Sequence, residues 1–256
     1  MSTPTESPLQ SGCQEGVLTL TLNRPDKRNA LNHALISALD AALQQAELDA
    51  TVRVVAIRGA GKDFCAGADL AELLASADST PAENEAAALA LGGLFLRIRA
   101  LPKPVVALVH GRALAGGAGL ATACDVAVAT ATSQLGYPEI QRGFVPAMVM
   151  TMLRRHVGEK VAFDLVATGR LLTSAEALDA GLVSRVVPDT EWESASATIL
   201  AQLVGASASA MALTKRQLYE LDGLSYADGI KLGARVNALA RAHPDFRAAI
   251  SAFLKP

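Results

Sequence analysis

The chain has 256 residues, 51% of them hydrophobic and 19% charged, and 23 basic against 25 acidic side chains give a formal net charge of −2. So apolar a composition can build a large buried core and excludes disorder over most of the length. The near balance of charge excludes the basic field that non-specific nucleic-acid binding needs.

Residues 1–14 read as a loose, flexible tail, polar at Met1–Pro8 and without the charged and apolar regions of a signal peptide. Val17–Asn23 alternates apolar and polar side chains, the period of a half-buried strand. Asn23-Arg24-Pro25-Asp26-Lys27-Arg28-Asn29 is a turn by its Pro, Asn and Asp content. A helix is predicted from about Ala30 to Leu48, where Leu31, Leu35, Leu39 and Leu43 recur along one face. Val52–Arg58, rich in β-branched residues, predicts a second strand that ends at Gly59-Ala60-Gly61. The loop Lys62–Ala68 leads to an Asp69-led helical segment, a Ser/Thr/Pro break and a longer helix over about 82–100. Leu101-Pro102-Lys103-Pro104 is extended, since each proline restricts the residue before it.

Val105–Val109 predicts a buried strand, broken by His110-Gly111-Arg112. Ala115-Gly116-Gly117-Ala118-Gly119 opens a helix to about Cys124, and Val126–Ala129 is another short strand. Strands alternating with helices predict an α/β architecture. Beyond about Val187 the strand signals stop, and Trp192–Val204, Ala208–Leu221, Ala227–Ala240 and Phe246–Leu254 read as helices. A mixed core over 15–188 and a helical segment over 189–256 follow, with no repeat of fixed period. No apolar run reaches the roughly 18 residues of a membrane span, so the expectation is a cytoplasmic protein with no membrane or nucleic-acid partner.

Two small-residue turns between strand and helix could carry chemistry: Cys65-Ala66-Gly67-Ala68-Asp69 and Ala115-Gly116-Gly117. Small residues let a ligand approach the backbone, and the first N–H groups of a helix lack internal partners. Two such turns brought together could aim two N–H groups at one developing oxyanion. Each also fits plain close packing of strand on helix. Gly136-Tyr137-Pro138-Glu139 sets an acidic residue among apolar and small ones, where desolvation would raise its pKa toward the range of a general base. On the residues alone, a helix cap or an ion pair with Arg142 is the simpler reading of Glu139.

The remaining polar residues are weaker candidates. His33, His110, His156 and His243 are scattered without metal-like pairing, and Cys13, Cys65 and Cys124 give no disulfide or zinc spacing. No metal site is expected. Cys65 reads as a packing residue, Thr173-Ser174-Ala175-Glu176 as a helix capping box, and Lys215-Arg216 as a solvated face.

An ordered set of segments over about residues 15–255 resembles the enoyl-CoA hydratase/isomerase (crotonase) family. It comprises Asn23-Arg24-Pro25 with Asn29-Ala30-Leu31-Asn32, Phe64–Leu70, Pro102–Ala107, Gly111–Gly117, Cys124-Asp125, Gly136–Glu139, Gly143–Pro146 and Thr168-Gly169-Arg170 through Gly181-Leu182-Val183. The resemblance implies a spiral of ββα units and a C-terminal helical segment for trimerisation, often into a dimer of trimers. It also implies an acyl-CoA thioester substrate whose carbonyl accepts hydrogen bonds from the N–H groups of Ala66 and Gly116. Coenzyme A is then part of the substrate, and no separate cofactor is expected. By the same resemblance Arg24, Arg28 and Ala30 line the adenine and phosphate end. Gly67, Ala68, Gly117 and Gly119 flank the thioester, Asp69 tethers the pantetheine side, and Phe253 with Lys255 reaches a neighbouring subunit's ligand.

Three departures from the family pattern bear on the reaction. Hydratases of the family carry one glutamate at the position of Gly119 and another at that of Glu139, and here only Glu139 remains. One carboxylate suffices to move a proton between carbons, whereas hydration uses two in concert, so double-bond isomerisation is slightly favoured over hydration. His110 stands where the family often has Asn, and Ala147-Met148-Val149-Met150 replaces a glycine-rich run. The competing readings are decarboxylation or thioester hydrolysis on the same oxyanion hole, and a non-catalytic CoA-ester-binding oligomer.

Overall fold

Order begins earlier in the chain than the sequence implies. The computed structural model describes residues 7–254. Within it Leu9–Gln14 forms β1, paired antiparallel with β2 (Val17–Leu22), so this stretch is not part of a loose tail. Only Leu9 of β1 is buried, which is why no apolar alternation marks it. Its register comes from backbone pairing and from Glu15 and Gly16, whose φ of 49° and 81° suit the twist of a tight hairpin. Residues 1–6 lie outside the described part.

Helix α1 (His33–Leu48) follows, with Asn32 as its cap accepting from Leu35 N–H and Leu35, Leu39 and Leu43 on its buried face. Strand β3 (Val54–Gly59), α2 (Leu70–Ala75) and α3 (Pro81–Ala100) come next. Asp69 caps α2, and Thr80 with Glu83 forms a capping box on α3. Strands β4 (Val105–Val109) and β5 (Arg112–Leu114) lead into α4 (Gly116–Ala123). Then come β6 (Val126–Thr130), β7 (Gln134–Gly136), α5 (Ala147–His156), α6 (Glu159–Thr168), β8 (Leu171–Thr173), α7 (Ser174–Asp179) and β9 (Arg185–Val187).

The main sheet has the order β1-β2-β3-β4-β6-β9, parallel from β2 onward. Its central strands are buried on both faces, which is why they read as unbroken apolar runs. Val55, Ile57, Val105, Ala107 and Val109 face the larger cluster with α1, α3 and α4. Val54, Ala56, Val106, Leu108 and Val128 face a second cluster that α8 (Trp192–Gly205) closes with Ile199 and Leu200. So α8, although it follows the last strand, covers the sheet.

A second layer makes the architecture a spiral. After each main strand the chain crosses to a short extended piece, and these pieces stack in parallel: Leu31 on Ala68, Cys65 on Ala113, and β5 on β7. Helix and return strand follow each piece. The main strands of successive turns begin at residues 17, 54, 105 and 126, spacings too uneven to leave a periodic signal.

From Ala208 the chain is helical: α9 (Ala208–Glu220), α10 (Tyr226–Ala242) and α11 (Pro244–Phe253). One ionic hub ties this segment to the core. Asp125 accepts from Lys215 Nζ at 2.7 Å, Tyr219 Oη at 2.6 Å and Val105 N–H at 2.7 Å. Lys215 also donates to the carbonyls of Ile98 and Lys103 and is only 6% exposed, so it does not lie on a solvated face as its sequence suggests. Its neighbour Arg216 is exposed. Among the described residues of α10 and α11 only Val236 is buried, while Tyr226, Ile230, Leu239, Phe246, Ile250, Phe253 and Leu254 are exposed.

Candidate active site

Two turns from different strands meet, and Asn29 builds the first of them. It is fully buried, and its Nδ2 donates to Ala60 O and Asp63 O while Oδ1 accepts from Arg24 N–H. Asp63, also buried, accepts from Arg112 N–H. These bonds fix the loop that carries Phe64–Ala68 beside β5, where Cys65 N–H donates to Arg112 O and Leu114 N–H to Cys65 O. Cys65 is a packing residue. Its thiol donates to Asn29 O, and burial pushes its pKa up to about 12.

The structure corrects one expected donor. Ala66 N–H donates to Arg28 O at 2.9 Å and is not free for a ligand. Ala68 N–H is free. Its neighbours close the bridge to Leu31, through Leu31 N–H to Gly67 O and Asp69 N–H to Leu31 O, and Ala68 N–H has no partner among the described residues. Between the two alanines Gly67 has φ of 96°, which redirects the chain. A Cβ on Gly67 would also lie 2.8 Å from Ala115 Cβ and 3.4 Å from Gly116 N, so the turns touch there.

The second turn enters α4. Ala115 has φ of 52°, a strained value for a residue with a side chain. Its N–H donates to Gly136 O at 2.8 Å, and Gly116 and Gly117 follow with N–H groups unpartnered among the described residues. A Cβ built on Gly116 would lie 3.9 Å from Ala68 N, so these two amides border one space. Gly117 serves close packing, since a Cβ there would lie 2.3 Å from Cys65 O.

Glu139 joins the site through the same bond. The Ala115–Gly136 contact pins β7 beside the α4 entrance, and Pro138–Arg142 continues as a 3-10 turn. Glu139 is 8% exposed, its Oε2 is buried without a hydrogen-bond partner, and no ion pair with Arg142 forms among the described residues. Burial raises its carboxyl above the ordinary value of 4.5, with its own backbone N–H and then Arg142 pulling the other way. Tyr137 is fully buried with an unpartnered hydroxyl, and its phenol is raised by burial and further by the Glu139 carboxylate. A desolvated carboxylate with one unpartnered oxygen can take up and return a proton, and two free amides can hold a carbonyl oxygen.

A sequence profile of the enoyl-CoA hydratase/isomerase family matches residues 12–255. The chain belongs to that family. It is 41% identical over 239 residues to a putative enoyl-CoA hydratase of Thermus thermophilus, covering 93% of this chain and 94% of that one. It is 36% identical to the 2,3-dehydroadipyl-CoA hydratase of Escherichia coli, covering 94% and 93%. The crystal structure of an enoyl-CoA hydratase from Mycobacterium smegmatis superposes with a TM-score of 0.93 at 33% identity, covering 97% of this chain and 96% of that one. The fold is therefore the crotonase fold, and the protein is an enoyl-CoA hydratase/isomerase-family enzyme acting on acyl-CoA thioesters.

In this enoyl-CoA hydratase/isomerase-family enzyme the expected CoA contacts are unequally placed. Arg24 and Asp69 are committed to each other at 2.8 Å, and Arg24 also donates to Ala30 O. Asp69 further accepts from Ala71 N–H as the α2 cap, and its carboxyl is held below the usual range chiefly by Arg24. Both side chains therefore act first as structure, holding the Arg24–Ala30 turn against the Ala68 turn. Arg28 is exposed and reaches Asp63 only at 3.9 Å, which leaves its guanidinium facing solvent. Phe253 is 85% exposed at the end of α11, and Lys255 lies outside the described residues. His110 holds Gly61 O through Nε2 at 3.0 Å and keeps a buried, unpartnered Nδ1. Among the described residues no group of three His, Cys, Asp or Glu side chains converges as a metal site requires.

Sequence reasoning missed Ala68 as a donor, and it missed Asn29 and Asp63 as the supports of its loop. Gly67 was the available signal for the first, because a glycine at positive φ redirects the peptide that follows it. Nothing local marks the second, since Asn29 acts on carbonyls more than thirty residues away.

Proposed function

We propose that this enzyme shifts the double bond of an enoyl-CoA thioester, with Glu139 moving the proton and the N–H groups of Ala68 and Gly116 holding the thioester oxygen. Glu139 as carboxylate takes a proton from carbon 2 of a 3-enoyl-CoA. The electron pair moves onto the adjacent thioester carbonyl oxygen, giving a dienolate conjugated with the carbon 3–carbon 4 double bond, and each preorganised donor at that oxygen contributes roughly 3 kcal/mol to the transition state. The protonated Glu139 then delivers the proton to carbon 4, and the 2-enoyl-CoA forms. No atom is gained or lost, so one carboxyl group is sufficient.

The observation that carries this reading is Glu139 itself, a buried carboxyl whose Oε2 has no hydrogen-bond partner among the described residues, in a chain whose position 119 is glycine. Hydration is the second reading, favoured by the names of the relatives in Thermus thermophilus and Escherichia coli. Product analysis with 2-enoyl- and 3-enoyl-CoA esters in deuterated water separates the two. A shifted double bond supports isomerisation, with deuterium at carbon 4 only to the extent that the Glu139 proton exchanges with solvent before delivery, and a 3-hydroxyacyl product as the main outcome contradicts it. The exposed apolar side chains of α10 and α11 support assembly into trimers, or hexamers built from them, through the C-terminal helices.

A further inference from the structure

The first turn of α5 seats two side chains in two glycine sockets. A Cβ built on Gly119 would lie 2.2 Å from Val149 Cγ1, 3.2 Å from Val149 Cβ and 3.3 Å from Phe95 Cζ. A Cβ built on Gly92 would lie 3.3 Å from Met148 Sδ. Both glycines sit inside helices, where glycine is the poorest ordinary residue, so each position gives up helix propensity for close approach. Gly92 belongs to α3 and Gly119 to α4, and the two departures at Gly119 and at Ala147–Met150 are therefore one packing unit.

We propose that Val149 is a specificity-determining residue: it fills the place of a second carboxylate, and of the water such a group would hold, so that the site transfers protons and does not hydrate. This rests on the reading of Glu139 as the acid/base. Val149 is buried, Phe95 joins it at Gly119 and Leu91 lies at Gly116, so the wall against the start of α4 is apolar, while Met148 packs on Gly92 of α3. A water needs two or more polar partners to be held, and this wall supplies none. The space lies between α4 and α5, at Gly119 and Val149. Thr122, one turn on from Gly119, donates to Ala118 O and Gly119 O and so turns its hydroxyl back on its own helix. A glutamate at 119 can enter only if the side chain at 149 leaves.

The test is a reciprocal exchange, read by thermal unfolding and by parallel assays of 2-enoyl-CoA hydration and 3-enoyl-CoA isomerisation. Gly119→Glu alone should lower Tm, and adding Val149→Gly to it should restore most of the loss, a coupling expected only of residues that share one space. The double variant should hydrate 2-enoyl-CoA about tenfold or more faster than wild type. Val149→Thr, nearly the same in shape, should raise the ratio of hydration to isomerisation without needing a new acid. It decides the matter if the exchange variants do not fold. A wild type that isomerises, beside a double variant and a Val149→Thr variant that gain no hydration, overturns this proposal alone. A wild type inactive on both esters overturns the reading of Glu139 with it.

Discussion

The main-chain amide of Ala66 is bound to Arg28 O at 2.9 Å, while that of Ala68, two residues on, lies next to Gly116 with no partner among the described residues. The first bond is structural and the second amide is available to substrate. Replacing single amides by esters separates them. An ester at Ala68 should lower kcat by about 10²–10³ with unfolding unchanged, the cost of one oxyanion donor. An ester at Ala66 should instead lower stability by about 1 kcal/mol. Steady-state kinetics and denaturant unfolding on the two semisynthetic proteins check this, and the reverse pattern contradicts it.

The pH dependence follows from the raised carboxyl of Glu139. As a base it must be ionised, so kcat/KM should fall on the acid side at a pH above the ordinary carboxylate range. Stability has the opposite sign. Between the unfolded value of 4.5 and the raised folded value the native state binds more protons, so Glu139 contributes stability at low pH that is lost as pH rises through the folded value. Glu139→Gln should therefore flatten the stability profile in that window. Kinetic and unfolding titrations over the same range measure both effects.

Arg24 and Asp69 join the Arg24–Ala30 turn to the Ala68 turn with side chains that are 17% and 12% exposed. Arg24→Ala removes that pair and the bond to Ala30 O, and it should cost about 2 kcal/mol in unfolding free energy. Because Arg24 depresses the Asp69 carboxyl, this stabilisation is present above the unfolded value of 3.8 and disappears as pH falls through the folded one. The gap between wild type and Arg24→Ala should thus close in acid, as urea melts at two pH values will show.

Asp125 is the one carboxylate that answers buried Lys215 among the described residues, and Arg99 stacks 3.8 Å from the centroid of the Tyr219 ring beside them. Asp125→Asn keeps the shape but leaves the ammonium uncompensated, and should cost about 3–5 kcal/mol. Lys215 is held below its ordinary value by burial, which Asp125 opposes. Equilibrium unfolding of the variant checks the loss, and a loss below about 1 kcal/mol would contradict the hub, being no more than a surface pair contributes.

Much of the fold is legible because its helices and parallel strands bury enough side chains to impose a period. The Leu35–Leu39–Leu43 face of α1 and the run Val105–Val109 are both where the sequence places them. Strands of three residues, β5, β7 and β8, span too few positions to show any alternation, and β1 is an edge whose outward side chains are polar. In the site, Glu139 and Gly116 are legible as residue types in their motifs. Burial of Glu139 is one of two readings its neighbours leave open, and the structure decides for it, since the side chain is 8% exposed and forms no ion pair with Arg142 among the described residues. The choice of Ala68 over Ala66 depends on the φ of Gly67, and the filled space at Gly119 depends on a side chain thirty positions downstream. Such facts belong to the packing of separate segments and leave no pattern within any one of them.

Glu139→Gln, assayed for 3-enoyl-CoA turnover alongside binding of a saturated acyl-CoA, tests the central claim most directly. The account predicts a fall in kcat of about 10²–10⁴ with the dissociation constant nearly unchanged. Turnover within a few-fold of wild type would show that another group moves the proton.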